Sequence, residues 1–99
     1  MEEATVIPDI YLLKLYITGA SPNSVKAVNN IKNICEHFLK DRYTLEIIDI
    51  YQQPMLASTE QIIALPLLVK SFPLPVRRLV GNMSDRAQVI KGLDLVEPI

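Results

Sequence analysis

The sequence predicts a single α/β domain, and three observations carry that expectation. A chain of 99 residues leaves room for one hydrophobic core and no second one. Runs rich in β-branched and aromatic residues flank a stretch whose apolar residues recur every three or four positions, so strand-like and helix-like segments are both present. The helical stretch lies between two strand-like runs, which argues for a parallel pair joined by a right-handed crossover. With 49% apolar and 21% charged residues, the chain has the composition of a folded domain.

Residues 1–9 read as a loose leader, 10–96 as the domain and 97–99 as a short end. Ile10 to Ile17 is nearly continuous apolar and suits a central strand covered on both faces. Thr18-Gly19-Ala20 makes a turn, Ser21 an N-cap, and Pro22 the first helical position. Val25, Val28, Ile31, Ile34, Cys35, Phe38 and Leu39 then form one helical stripe, with Glu36 and Lys40 paired on the wet face. Tyr43 to Ile50 is a second strand. Pro54 opens a short helix over Met55 to Ala64. Leu67 to Val69 is a short strand, Phe72 to Pro75 a rigid turn, and Val76 to Val80 a strand ended by Gly81-Asn82. Ser84 caps a last helix with Met83, Ala87, Ile90 and Leu93 on its apolar face. This βαβαββα order is that of a thioredoxin-like domain. Gly92 inside the last helix costs about 1 kcal/mol relative to Ala, and Leu93 to Val96 alternates as a strand would. Residues 51–96 therefore carry preferences for more than one arrangement.

Several function classes fall away on composition. Ten Lys and Arg against eleven Asp and Glu exclude a strongly basic nucleic-acid binder. One cysteine excludes a disulfide framework and a Cys-based zinc site, and one histidine removes most triads and metal sets. No apolar run is long enough to span a membrane, and an acidic N-terminus, Met1-Glu2-Glu3, is unlike a signal peptide, so the expected compartment is the cytoplasm. A mean hydropathy of +0.23 points to apolar surface used in assembly. A thioredoxin-like redox enzyme would carry Cys-x-x-Cys where this chain has Ser21-Pro22-Asn23-Ser24, and serine supplies neither thiolate nor disulfide. Cys35 on the apolar stripe reads as an inert small hydrophobe, and His37 as a solvated side chain. No catalytic residue, cofactor or metal is expected. Arg77-Arg78 is the odd feature: neighbours on a strand point to opposite faces, so one of the two must face a covered side or a partner. The pair reads either as edge-strand solubility charges or as an anchor for a carboxylate on another chain.

The segment Leu13 to Ser24, with its Lys14, Tyr16, Gly19 and Pro22, resembles the N-terminal signature of the KaiB family of circadian clock components. The resemblance continues through Ile48-Asp49-Ile50, Pro54, Pro66, Lys70, Pro73, Pro75-Val76-Arg77-Arg78, Gly81 and Gly92-Leu93-Asp94-Leu95. It departs at Leu74 within a run of three prolines, at Ala64-Leu65-Pro66-Leu67 where two hydroxyls are lost, and at Glu46 where a basic residue is common. The chain also ends at Glu97-Pro98-Ile99, short of an acidic tail.

The resemblance implies a non-enzymatic regulator that binds a KaiC-like ATPase and modulates its phosphorylation. KaiA or a histidine kinase is a further possible partner, and a stress-adaptation setting applies where KaiA is lacking. It also implies two forms: a resting βαββααβ homotetramer or dimer of dimers, and a thioredoxin-like βαβαββα monomer that binds the partner. The partner-binding candidates are Lys14, Lys26, Glu46, Arg77 and Arg78. The fold-switch candidates are Pro66, Pro73, Pro75, Gly92 and Asp94. For the isolated chain the resting order is expected, with two helices in the 55–80 stretch and a final strand near 86–96. Two other classes stay open: a degenerate thioredoxin-like enzyme, and an oligomeric or sensor-type binding module.

Overall fold

The computed structural model describes residues 10–59 and 64–96, so the expected leader and C-terminal end lie outside the described residues. Its order is β1 (Tyr11–Ile17), α1 (Pro22–Phe38), β2 (Tyr43–Asp49), α2 (Met55–Thr59), β3 (Leu67–Phe72), β4 (Arg77–Val80) and α3 (Arg86–Gly92). The four strands form one sheet in the order β2-β1-β3-β4. β1 and β2 are parallel, in the register Leu13↔Leu45 and Leu15↔Ile47, as the strand–helix–strand order requires. β3 runs antiparallel to β1, and β4 antiparallel to β3.

The strand period of two sorts β1 into two faces. Tyr11, Leu13 and Leu15 join Ala27, Ile31, Ile34, Cys35 and Phe38 of α1, Leu68 of β3, and Val89 and Leu93 of the α3 region in the main core. Tyr16 and Leu67 point the other way, into a smaller cluster with Ile48, Ile50 and Leu56. Coverage of that second face stops short: Leu12 and Phe72 are exposed. β1 is thus a central strand with clusters on both faces, its second face covered at Tyr16 and open at Leu12.

The chain adopts the thioredoxin-like order, and the resting order expected for the isolated chain is not the one described. Residues 86–92 are helical where a final strand was expected, and β3 and β4 occupy much of the 55–80 stretch expected to hold two helices. Val89 and Leu93 are buried one turn apart in α3 and its cap, and this helical spacing seats the segment on α1 and β4. The cap of α3 is Asp85, whose carboxylate accepts the Gln88 N–H at 3.1 Å, not Ser84. Met83 is buried outside the helix at φ 62°, and Ala87 is exposed. On α1 the stripe is rotated: Val25 is exposed while Ser24 and Ala27 are buried. Glu36 accepts the Tyr43 hydroxyl at 2.7 Å, where spacing suggested Lys40. The helix expected over 55–64 is described as far as Thr59.

Ile31→Ala should destabilise the domain by about 2–5 kcal/mol, because Ile31 is fully buried between α1 and the sheet. Val25→Ala should stay within about 0.5 kcal/mol, since Val25 is nearly half exposed and Ala is the better helix former. Urea unfolding of the two variants checks the rotated stripe.

Candidate functional site

The turn after β1 brings three hydroxyls together at the start of α1. Ser21 Oγ accepts the Ser24 N–H at 3.3 Å and donates to Ser24 Oγ at 2.8 Å. Ser24 Oγ in turn accepts the Thr18 N–H at 3.0 Å. Asp49 Oδ1, at the end of β2, accepts the N–H groups of Gly19 and Tyr51, each at 2.9 Å. Gly19 sits at φ +55°, and a Cβ there would meet the Tyr51 ring at 3.2 Å, so both backbone and space favour glycine. Ser21 and Ser24 therefore hold the two positions of a Cys-x-x-Cys motif with a closed hydroxyl network, which ties the loop down and offers no thiolate. Cys35 is buried in the main core instead, where burial first and the Glu36 charge second push its thiol up to about 12. His37 is exposed and stands edge-on to Phe38 at 4.7 Å between ring centroids.

The sheet register brings three of the five partner-binding candidates into one row. Glu46 on β2 lies opposite Lys14 on β1, Lys14 opposite Val69 on β3, and Val69 opposite Arg78 on β4. All four share the second face, beside the exposed Leu12 and Phe72. Lys26 stands apart on the exposed side of α1. Arg77 points to the opposite face from Arg78, as neighbours on a strand must, and lies opposite Lys70. Its carboxylate partner is within the chain: Nε of Arg77 stands 3.4 Å from Asp94 Oδ2. Among the described residues β4 is an edge strand of the sheet.

Among the fold-switch candidates, Pro66 leads into β3 while Pro73 and Pro75 lie in the β3–β4 turn, and all three follow cis peptide bonds. Gly92 ends α3, and a Cβ built there would meet Leu79 Cδ2 at 2.5 Å. The roughly 1 kcal/mol that Ala gains over Gly in a helix is therefore offset until the Leu79 side chain moves aside. Asp94 follows the helix at φ 57°. Its carboxylate also meets Lys70 Nζ at 3.7 Å, and Lys70 is only 1% exposed. Sequence reasoning noted Lys70 in the resemblance alone and missed its burial. The signal was there: Lys70 is two residues from the buried Leu68, which puts it on the same face of β3.

The KaiB domain family model matches residues 14–95, nearly the whole of the described domain. The chain belongs to the KaiB family. It is 49% identical over 86 residues to the circadian clock oscillator protein KaiB of Prochlorococcus marinus subsp. pastoris, across 87% of this chain and 80% of that one. The same protein of Synechococcus elongatus is also 49% identical over 86 residues, across 87% of this chain and 84% of the relative. Among solved structures, the N-terminal domain of Synechococcus elongatus SasA superposes with a TM-score of 0.69 at 25% identity, covering 100% of this chain and 97% of that domain. The Drosophila thioredoxin Deadhead superposes at 0.68 with 10% identity, covering 87% and 80%, a likeness of fold alone. The KaiB-type domain thus has the thioredoxin architecture with serines in place of the cysteine pair. No helix among the described residues is long and apolar enough to cross a membrane.

Cys35 generates an expected outcome. Its folded value of about 12 lies above its ordinary 9.0, so the folded state holds the thiol proton more tightly than the unfolded chain does. That contribution to stability is fully present below pH 9.0 and is lost as pH rises from there towards about 12. Urea midpoints should fall across this window, and Cys35→Ala should flatten that part of the profile while lowering the midpoint at neutral pH. In the folded protein at pH 7 a thiol reagent should label Cys35 only at the rate of unfolding.

Proposed function

We propose that this chain is a non-enzymatic regulator that binds a KaiC-type ATPase and modulates its phosphorylation state. The setting is a circadian clock or, where KaiA is lacking, stress adaptation, and the compartment is the cytoplasm. The observation that carries this reading is 49% identity over 86 residues to circadian clock oscillator proteins. The thioredoxin-like order supports it, because the family resemblance assigns that order to the partner-binding form. KaiA or a histidine kinase is the further proposed partner, and the likeness to the SasA N-terminal domain supports a clock setting.

The row of Glu46, Lys14 and Arg78 is the proposed contact surface, with Lys26 contributing from α1. Charges arranged in such a row steer encounter and fix register more than they add affinity. Exchange with a resting homotetramer or dimer of dimers belongs to the same proposal. Pro66, Pro73, Pro75, Gly92 and Asp94 are the positions that bias it. Exposed Leu74, Val76, Val80 and Met55 supply apolar surface for such an assembly.

Size-exclusion chromatography with the KaiC homologue of the same organism tests the reading. A complex should form with ATP present, and Lys14→Glu and Arg78→Glu should each weaken it by about tenfold. Absence of any complex at tens of micromolar in either nucleotide state overturns the reading. Light scattering on the free protein at the same concentration should give a mass above one chain. A strictly monomeric mass removes the resting oligomer.

A further inference from the structure

The cleft between β4 and α3 carries more positive charge than its neighbours neutralise. It measures about 600 Å³, with Arg77 and Leu79 from β4, Gln88 and Lys91 from α3, and Asp94 beside them. That volume falls in the range of small-ligand sites, about 300–1,000 Å³. Arg77 and Leu79 share a face of β4 by the strand period, and Gln88 and Lys91, three residues apart, share a face of α3. Gln88 and Lys91 are exposed and Arg77 is half-exposed, so water and solutes reach all three. Asp94 Oδ2 lies 3.7 Å from the buried Lys70 Nζ and 3.4 Å from Arg77 Nε. Lys70, Arg77 and Lys91 thus stand against one carboxylate among the described residues, an excess of two positive charges in a chain of net charge −1.

We propose that this cleft binds a phosphoryl dianion, gripped by Arg77 and neutralised by Lys91. Asp94 takes only one edge of the Arg77 guanidinium, Nε at 3.4 Å and Nη2 at 3.5 Å. The end edge, Nη1 with the second hydrogen of Nη2, is another pair of parallel donors, spaced for two oxygens of one phosphate. Lys91 adds a compact charge with three donors. Two surplus charges match a dianion better than a single carboxylate. Asp94 acts here as the brace that holds Arg77, its own charge shared with Lys70. Leu79 and Val80 give the cleft an apolar lining, suited to the organic part of a phosphorylated compound. Arg77 and the row of Glu46, Lys14 and Arg78 lie on opposite faces of the sheet, so the site is independent of the proposed partner surface.

Calorimetric titration and amide chemical shifts of the free chain at low salt test the site. The probes are inorganic phosphate, AMP, which carries the same dianionic group on a sugar and base, and acetate. Phosphate should saturate at about millimolar concentration and shift the amides of residues 77–80 and 88–94 most. AMP binding more tightly than phosphate assigns a nucleotide-like occupant, and AMP binding no more tightly assigns free phosphate. Lys91→Gln, at an exposed position, should keep the fold and weaken phosphate by about tenfold. Arg77→Lys, which keeps the charge and loses the fork, should weaken it by about threefold. Lys32→Gln, the same loss of charge on the exposed side of α1, should change it by less than about twofold. Equal losses in Lys91→Gln and Lys32→Gln overturn the proposal, since the attraction would then belong to the whole surface. So does acetate binding as tightly as phosphate, a shift pattern centred outside the cleft, or no saturable binding of phosphate or AMP at tens of millimolar.

Discussion

The contact between one face of β1 and the inner stripe of α1 is the constraint on which the rest of this domain depends. Leu13 and Leu15 lie against Ala27, Ile31 and Ile34, all at 2% exposure or less. Once that face is the core, the pleat decides the destination of every other strand residue. Leu68 and Lys70 go inward because they pair with Leu15 and Leu13, while Val69 and Arg78 go to the opposite face. Burying α1 on one side also leaves the second face only partly covered, with Leu56 of α2 among the residues packed there. The exposed Leu12 and Phe72 and the charged row through Lys14 follow from that shortfall.

The charged residues divide in the same way. On the second face Glu46, Lys14 and Arg78 stand in a row across the sheet. On the helical face Lys70 and Arg77 are occupied by Asp94. A pair of adjacent arginines thus serves two ends, one internal and one outward, by the alternation of a strand. Half-exposed ion pairs add little stability by themselves, about 0–1 kcal/mol. The pair that includes Lys70 differs, because its ammonium has no route to water.

The thioredoxin architecture here has shed its chemistry without loosening the corner that chemistry occupied. Ser21 and Ser24 satisfy backbone groups that a thiol pair would leave to other partners, and Asp49 closes the same corner from β2. The sole cysteine lies in the core, its proton held by desolvation.

The sequence by itself determined the first half of the fold. Ser21 and Pro22 mark the start of α1, the three-and-four spacing marks its length, and a helix between two strands leaves a parallel pair as the natural outcome. It also determined that the motif at 21–24 is no redox centre, because that depends on residue type alone. For the second half, local signals favour the order described here, while the family resemblance favours the resting order for the isolated chain. What only the tertiary structure decided is how the thioredoxin-like order is seated, through the burial of Val89 and Leu93 against α1 and the sheet. The rotation that exposes Val25 and buries Ser24 was beyond periodicity, which counts apolar residues and is blind to a serine whose hydroxyl is satisfied inside. The Lys70–Asp94 pair spans 24 positions of sequence, and charge pairing at that distance is set by strand register and by the end of α3, neither of which any local pattern encodes.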